Sequence, residues 1–433
     1  MTSNSASETS IFANPWTQLV LGIICMASVA NMQYGWTLFV DPIDAQHHWG
    51  RAAIQVAFTL FVLIETWLVP VEGYLVDRFG PRPVVLGGGI LVAIAWALNS
   101  VADSLGVLYF AAALGGVGTG AVYGTCVGNA LKWFPSRRGL AAGFTAAGFG
   151  AGAALTVAPI QTMIGASGYQ HAFLFFGLLQ GAIVVIAAFG LLVAPPSYLA
   201  AAPKKSMSAR SFTPTEVLGK PVFWVMYLMF FLVAAGGLVL IANMAPIAKD
   251  MGVAKTAVNL FGITAVAGTF AIKLQRILDG IGRPFFGWVS DQIGRENTMA
   301  IAFLIGAAAL FTVSQSGTNP VVFVLVTGLY FGVFGEIYSL FPATQGDTFG
   351  AKYAAANAGL LYTAKGAGAL VVSFATALAA SRGWSTVFTL AMTGNVIAAL
   401  LGLFVLKPMR ARHFAAIRAE SPQAMGGAAP STG

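Results

Sequence analysis

The sequence predicts an all-α membrane protein, with twelve transmembrane helices in two pseudo-symmetric six-helix bundles. Three observations carry that expectation. The composition is too apolar to cover a soluble surface, twelve apolar runs are split six and six by one polar stretch, and short motifs recur at matching places in the two halves. Of the 433 residues, 57% are hydrophobic and 9% charged, where a soluble domain carries about 25% charged residues.

Apolar runs near the length of about 20 residues that spans a bilayer lie at 17–40, 52–76, 84–101, 105–131, 138–163 and 170–194. Six more lie at 221–247, 257–290, 299–316, 321–345, 354–380 and 384–406. The opening residues, MTSNSASETSIFANPW, lack the basic start and small-residue cleavage site of a signal peptide, so the first run is expected to be retained as a helix. Residues 195–220, PPSYLAAAPKKSMSARSFTPTEVLGK, are rich in Pro, Ser, Ala and Lys, as in a linker between bundles. The expected organisation is a first bundle over 1–194, a cytoplasmic linker over 195–220, a second bundle over 221–410 and a cytoplasmic tail over 411–433.

The net charge of +8 reads as a topology signal and not as a nucleic-acid footprint. Of the 23 lysines and arginines, Arg51, Lys249, Lys255 and Arg382 fall in loops on one side, and Lys273, Arg276, Arg283 and Lys365 fall inside helices. The other 15 fall on the side of the linker and both ends. Such an excess marks the cytoplasmic face, so both ends are expected in the cytoplasm and the chain in the cell (inner) membrane. Cys25 and Cys126 both sit in apolar runs, and His47 and His48 have no Cys or carboxylate at zinc-site spacing. No nucleophile–base set marks an enzyme, and no segment is long enough for the soluble domain of a sensor or scaffold. No catalytic residue, metal or cofactor is therefore expected, and the partners are the lipid bilayer and a small solute, with no nucleic acid and the chain as a monomer.

The halves repeat. VPVEGYLVDRFG (69–80) aligns with RPFFGWVSDQIG (283–294), matching Pro70 to Pro284, Gly73 to Gly287, Asp77 to Asp291 and Gly80 to Gly294. TAAGFGAG (145–152) aligns with TAKGAGAL (363–370), and DPI (41–43) recurs as API (245–247). GYLVDRFGPRP (73–83) resembles the loop signature G-x-x-x-D-[RK]-x-G-[RP]-[RK] of major facilitator transporters. Their plan is two six-helix repeats around a pocket at the interface. That resemblance implies a cytoplasmic latch between the bundles, here Gly73, Asp77, Arg78, Gly80 and Arg82, with Asp291 in the second copy. Asp77 can meet the helix N-terminus or the basic groups of a neighbour, and Gly80 permits the tight turn. In the second copy Gln292 and Glu296 stand where a basic latch is expected, which weakens it.

Two cations are misplaced for plain membrane helices. Arg283 precedes Asp291 by eight residues, hence lies about 12 Å deeper at about 1.5 Å per residue, close to the midplane of a core about 30 Å thick. Lys365 lies at a similar depth in the eleventh helix. Each costs about 2.5–3.5 kcal/mol at such a depth, so each needs a wet cavity or a partner. The repeat puts Val69 at the Arg283 position and Ala147 at the Lys365 position. The scaffold does not require them. Two cations facing one cavity call for an anion, either a substrate or an internal carboxylate. Asp279, one helical turn before Arg283, and Glu336 in the tenth helix are the candidate partners. They are read either as structural neutralisers or as proton-coupling groups. Glu65 and Glu72 in the second helix are further internal acids. Lys273 and Arg276 read as an outer vestibule that attracts anions.

Aromatic and amide groups complete a pocket: Gln33, Tyr34 and Trp36 in the first helix, Tyr123 in the fourth, Phe334 and Tyr338 in the tenth, and Tyr362 one turn before Lys365. At these residues the whole chain resembles the oxalate:formate antiporter family of the major facilitator superfamily. The likeness includes QYGWTLFVDP, KWFPSRRGLAAGFTAAGFG, RPFFGWVSD, YSLFPATQGDTFG and the lysine of TAKGAGA. The resemblance implies that Arg283 and Lys365 bind substrate carboxylates, with Gln33, Tyr34, Tyr123, Tyr338 and Tyr362 around them. It also implies pocket positions for Phe149 and Phe334, where the family pattern has tyrosine and tryptophan, and sets Asp279 and Glu336 against asparagine and glycine. DGIGRP (279–284) further resembles the D-x-x-x-R-P of proton-coupled monocarboxylate transporters. The expected activity is secondary transport of small carboxylate anions by alternating access, with proton-coupled symport as the alternative and protons as a candidate second partner.

Overall fold

A computed structural model of the chain describes residues 11–196, 208 and 210–420 apart from 261 and 317. Most of the expected linker before Arg210 and the end of the expected tail lie outside the described residues.

The first span is broken into α1 (Pro15–Val29), α2 (Asn31–Tyr34) and α3 (Thr37–His47). Asn14 starts it by accepting a hydrogen bond from the Trp16 amide at 2.8 Å, with Pro15 at the first helical position, where a proline loses no needed donor. The second span is α4 (Arg51–Trp67) and α5 (Val69–Phe79), bent by 43° where Pro70 cannot continue the hydrogen-bond ladder. The half closes with α6 (Pro81–Ser100), α7 (Leu105–Trp133), α8 (Arg138–Ser167) and α9 (Tyr169–Phe189).

Between the halves, α10 (Pro214–Leu218) opens with a capping box from Thr213 and Glu216. The chain before it is stitched to the second half, the Phe212 amide donating to the Phe349 carbonyl at 2.9 Å. The second half then has α11 (Pro221–Asp250), α12 (Ala267–Ile293), α13 (Arg295–Ser316), a tenth span broken at Gly335–Glu336 into α14 (Pro320–Phe334) and α15 (Ile337–Phe349), α16 (Ala354–Arg382) and α17 (Trp384–Leu400). The last span continues through a π-helical turn (Leu401–Leu406) into α18 (Lys407–Glu420). Part of the expected tail is thus helix.

One boundary differs from the sequence reading. The apolar run at 257–290 does not form one helix: β1 (Ala257–Leu260) and β2 (Ile263–Val266) pair antiparallel, and the helix begins only at Ala267. Val258, Ile263, Thr264 and Val266 favour a strand, and Gly262, at φ +78°, makes the turn between them.

Among the described residues ten helices are long and apolar enough to cross a membrane, and the bent pair α4–α5 makes an eleventh; α12, with its charges, is the twelfth by position. Large side chains such as Leu155, Ile186, Phe374 and Phe404 are more than 70% exposed. That outward apolar belt is what lipid, and not water, accommodates. The repeat is visible in the turns: Gly80 (φ +83°) and Gly294 (φ +93°) make matching sharp corners after α5 and α12, in a region a side chain enters only with strain.

Candidate functional site

The breaks in the first and tenth spans deliver side chains to the space between the halves. Gln33, Tyr34, Tyr123, Phe149, Leu238, Ile241, Arg283, Phe334, Tyr338, Tyr362 and Lys365 line one closed cavity there. Its free volume is about 20 Å³, close to the room one water needs. Of the side chains expected around the pocket, nine meet in it, contributed by both halves, whereas Trp36 lines a separate cavity with Asn31, Phe39 and Phe61.

The two cations share a wall. The Arg283 guanidinium lies 4.7 Å from the centroid of the Tyr338 ring, and the Lys365 ammonium lies 6.0 Å from the same ring and 4.9 Å from that of Tyr362. Aromatic faces attract cations without neutralising them. The rings hold one another: Tyr123 stacks on Tyr362 at 4.6 Å, while Phe149 meets Tyr34 and Tyr123 edge-on at 5.4 and 5.6 Å. Phe334 packs edge-on against Tyr338 at 5.9 Å.

Arg283 is 2% exposed. It donates to Asp279 Oδ2 at 2.7 Å, as the one-turn spacing predicts, and across the halves to the Ala146 carbonyl at 2.7 Å. Among the described residues its Nε has no acceptor and the Gln33 amide oxygen has no donor. Lys365 is 4% exposed and donates to the Tyr362 hydroxyl at 2.7 Å. Its carboxylate partner is Glu65 of α4, with Nζ 3.4 Å from each oxygen. The sequence reading puts Asp279 and Glu336 forward as charge partners and names Glu65 only as a further internal acid. Asp279 is the partner of Arg283; the correction concerns Lys365, whose partner is Glu65 and not Glu336. Glu336 is fully buried at the break of the tenth span, and among the described residues neither of its oxygens has a hydrogen-bond partner. The break turns the chain between Phe334 and Ile337, and Glu336 makes no ion pair with the cations that lie over its neighbour Tyr338, among the described residues. Of the vestibule pair, Arg276 lies 4.5 Å from the Tyr34 ring centroid, over the cavity wall, while Lys273 is exposed.

The face that bears the linker and both ends of the described chain is closed by reciprocal contacts. Asp77 Oδ2 accepts from the Ala356 amide at 3.1 Å, in the first turn of α16. Asp291, its repeat mate, accepts from the Gly139 and Leu140 amides at 3.1 and 3.0 Å, in the first turn of α8. Each aspartate thus caps a helix of the opposite half, where the helix dipole favours a negative charge. The matching glycines allow the approach. A Cβ on Gly73 would stand 2.5 Å from the Ala355 carbonyl carbon, and one on Gly287 would stand 2.2 Å from the Gly139 oxygen. Arg78 and Arg82 are exposed; Arg78 lies over the Phe79 ring, and among the described residues neither arginine has an ion pair with the other half.

The ionic contact that joins the halves on this face lies elsewhere. Lys132 pairs with Asp77 at 2.6 Å within the first half. Asp347 accepts from Arg138 Nη1 at 3.0 Å and Arg295 Nε at 2.9 Å, and Arg295 also reaches Asp291 at 2.5 Å. A basic group therefore serves the second copy after all, supplied by Arg295 three residues beyond Gln292. The sequence signal is positional: Lys132 and Asp347 each stand two residues before a phenylalanine at the end of a span, Phe134 just after α7 and Phe349 closing α15.

Comparisons with known proteins agree with this architecture. The profile of the Major Facilitator Superfamily matches residues 19–283. The oxalate:formate antiporter of Oxalobacter formigenes is 36% identical over 409 residues, 94% of each chain. Monocarboxylate transporter 11 of Homo sapiens is 28% identical over 316 residues, 68% of this chain and 66% of that one. Among solved structures, the proton:xylose symporter XylE superposes with a TM-score of 0.70 at 12% identity, covering 90% of this chain and 96% of that one. Its likeness concerns the fold alone. The chain belongs to the oxalate:formate antiporter family of the Major Facilitator Superfamily.

Proposed function

We propose that this protein carries small carboxylate anions across the cell membrane by alternating access, exchanging one anion for another. The observation that carries the reading is the pair of buried cations, Arg283 and Lys365, set against one aromatic ring in a closed cavity between the halves. Arg283 offers a planar fork, with Nε still unpartnered, to one carboxylate. Lys365 offers a point charge to the same carboxylate or to a second one. Tyr34, Tyr123, Phe149, Phe334, Tyr338 and Tyr362 clamp a flat anion and exclude bulky ones, and Gln33 supplies an amide. The halves, 1–194 and 221–410, rock about this site, with the aspartate caps and Asp347 holding the linker face shut. The excess of Lys and Arg on that face makes it cytoplasmic, and the carrier works as a monomer.

The test is flux into proteoliposomes. Labelled oxalate or formate is taken up when unlabelled carboxylate is inside, without a pH gradient, and carboxylates raise the melting temperature of the purified protein; a ligand at 100 times its Kd adds about 2.7 kcal/mol. If no small mono- or dicarboxylate does either, the reading is rejected. Tyr362→Phe removes the hydroxyl that fixes the Lys365 ammonium. A hydrogen bond to a charged group contributes about 1.5–3 kcal/mol, so binding measured by calorimetry weakens about tenfold or more.

Proton-coupled symport is the second reading, favoured by the Asp279–Arg283 pair at 2.7 Å and by the D-x-x-x-R-P spacing. Uptake into empty vesicles driven by an inward proton gradient distinguishes it from strict exchange.

A further inference from the structure

The Lys365 ammonium is neutralised in this structure by Glu65, a carboxylate from the other half of the molecule. Glu65 is fully buried on α4, whereas Lys365 projects from α16. The contact is loose for an ion pair, 3.4 Å to each oxygen, while the short bond of Lys365 goes to the Tyr362 hydroxyl. The Tyr362 hydroxyl itself lies 3.5 Å from Glu65 Oε1. Glu65 therefore takes the part of a substrate carboxylate toward Lys365, from outside the set of residues that line the cavity.

The other charged and titratable groups facing Glu65 are few. Tyr123 of α7, stacked on Tyr362, is within its electrostatic reach. Glu72 of α5 lies two helical turns further along the bent span and has no hydrogen-bond partner on either oxygen among the described residues. Gly120 of α7 fits between the two acids: a Cβ there would stand 2.7 Å from Glu72 Oε2 and 2.8 Å from the Glu65 carbonyl. Arg283 is close enough to repel Lys365, but its own carboxylate is Asp279. Lys365 is the one cation in contact with Glu65 among the described residues.

We propose that Glu65 is a resident substitute for the substrate anion, and that it carries a proton when the substrate displaces it from Lys365. The inference rests on the reading of the cavity as a carboxylate site. With the cavity empty, ionised Glu65 neutralises Lys365, so the halves close and the empty carrier returns. With an anion on Lys365, Glu65 loses its partner and takes one proton from the face that supplied the anion, RCOO⁻ and H⁺ entering together. Release on the other face returns the anion and the proton to water and restores the Glu65–Lys365 pair. Exchange is then one mode of a carrier that also performs net, proton-coupled movement.

Reconstituted wild type and Glu65→Gln are assayed for two fluxes with oxalate and formate: exchange into loaded vesicles, and net uptake into empty vesicles with acid outside. Wild type is expected to show both. In E65Q the ratio of net uptake to exchange falls at least tenfold, and the apparent affinity for the anion rises, because Lys365 has lost its competing carboxylate. An unchanged ratio in E65Q, or wild type that exchanges without any net uptake, overturns the proposal. Absence of exchange in wild type sinks instead the carboxylate reading on which it rests. Should E65Q fail to fold, isotope-edited infrared difference spectra of wild type with oxalate decide. A protonated carboxyl band that appears on binding and moves with ¹³C-glutamate supports the proposal; a band that moves with ¹³C-aspartate, or none, overturns it.

Discussion

Arg283→Gln and Lys365→Gln are each expected to lower carboxylate uptake in proteoliposomes by two orders of magnitude or more. Truncating one member of a buried, hydrogen-bonded charge pair costs about 2–5 kcal/mol, and each 1.4 kcal/mol is tenfold in affinity. Both side chains are nearly inaccessible to water, so solvent does not replace what is lost. Each change also strands an acid, Asp279 beside Arg283 and Glu65 beside Lys365, so part of the loss falls on the fold. The double variant Asp279→Asn with Arg283→Gln separates the two effects. It is expected to regain the melting temperature of the wild type and to remain inactive. Arg283→Lys is expected to stay inactive as well, since an ammonium cannot hold Asp279 and the Ala146 carbonyl and still present a fork. Normal uptake by either single glutamine variant would refute the cation site.

The second large effect is expected from Asp347→Asn. This carboxylate is 5% exposed and is shared by Arg138 of the first half and Arg295 of the second, which are 1% and 9% exposed. Removing one partner of a buried ion pair costs about 3–5 kcal/mol. Arg295 keeps Asp291, whereas Arg138 has no second carboxylate within contact among the described residues. Because Arg138 and Asp347 come from opposite halves and meet across the shut linker face, the cost is expected to fall on that conformation. A shift of about 5.5 kcal/mol converts a 99:1 population into 1:99, so this change moves most molecules to the open form. Spin labels on Arg78→Cys and Gln292→Cys, both exposed at that face, report it by pulsed dipolar spectroscopy. The distance distribution is expected to lengthen in the Asp347→Asn background, and an unchanged distribution would refute the role of this cluster.

The cations and the aromatic residues around them are legible in the sequence because they break a rule that sequence alone states. A lysine and an arginine at mid-membrane depth demand compensation, and the repeat shows by Val69 and Ala147 that the scaffold does not need them. The equivalence of Asp77 and Asp291 is legible for the same reason, since the repeat pairs them with their glycines. What the sequence does not disclose is which acid faces which cation. Asp279 is in the same helix as Arg283, so helical spacing alone pairs them. Glu65 reaches Lys365 only because of the orientation of a span bent by 43° and of the packing of α16 against it, and no period in the sequence encodes that. Strand propensity hidden in an apolar run misplaces the start of the eighth span. Val258 to Val266 is as apolar as a membrane helix, but β-branching and Gly262 decide its shape.

The eighth span has a consequence for how the chain is made. Helix α12 carries Lys273, Arg276, Asp279, Arg283 and Asp291, and it is not among the helices apolar enough to enter a bilayer by hydropathy. Emerging from the ribosome, it has no reason to leave the insertion channel for lipid until α8, α13, α14 and α15 offer it protein surface. The same charges that make the cavity thus make the biogenesis of the second half depend on the first half already being in the membrane. A chain cut just after Ile293 is expected to leave this helix outside the bilayer, open to glycosylation tags and proteases, whereas a chain reaching past Phe349 protects it.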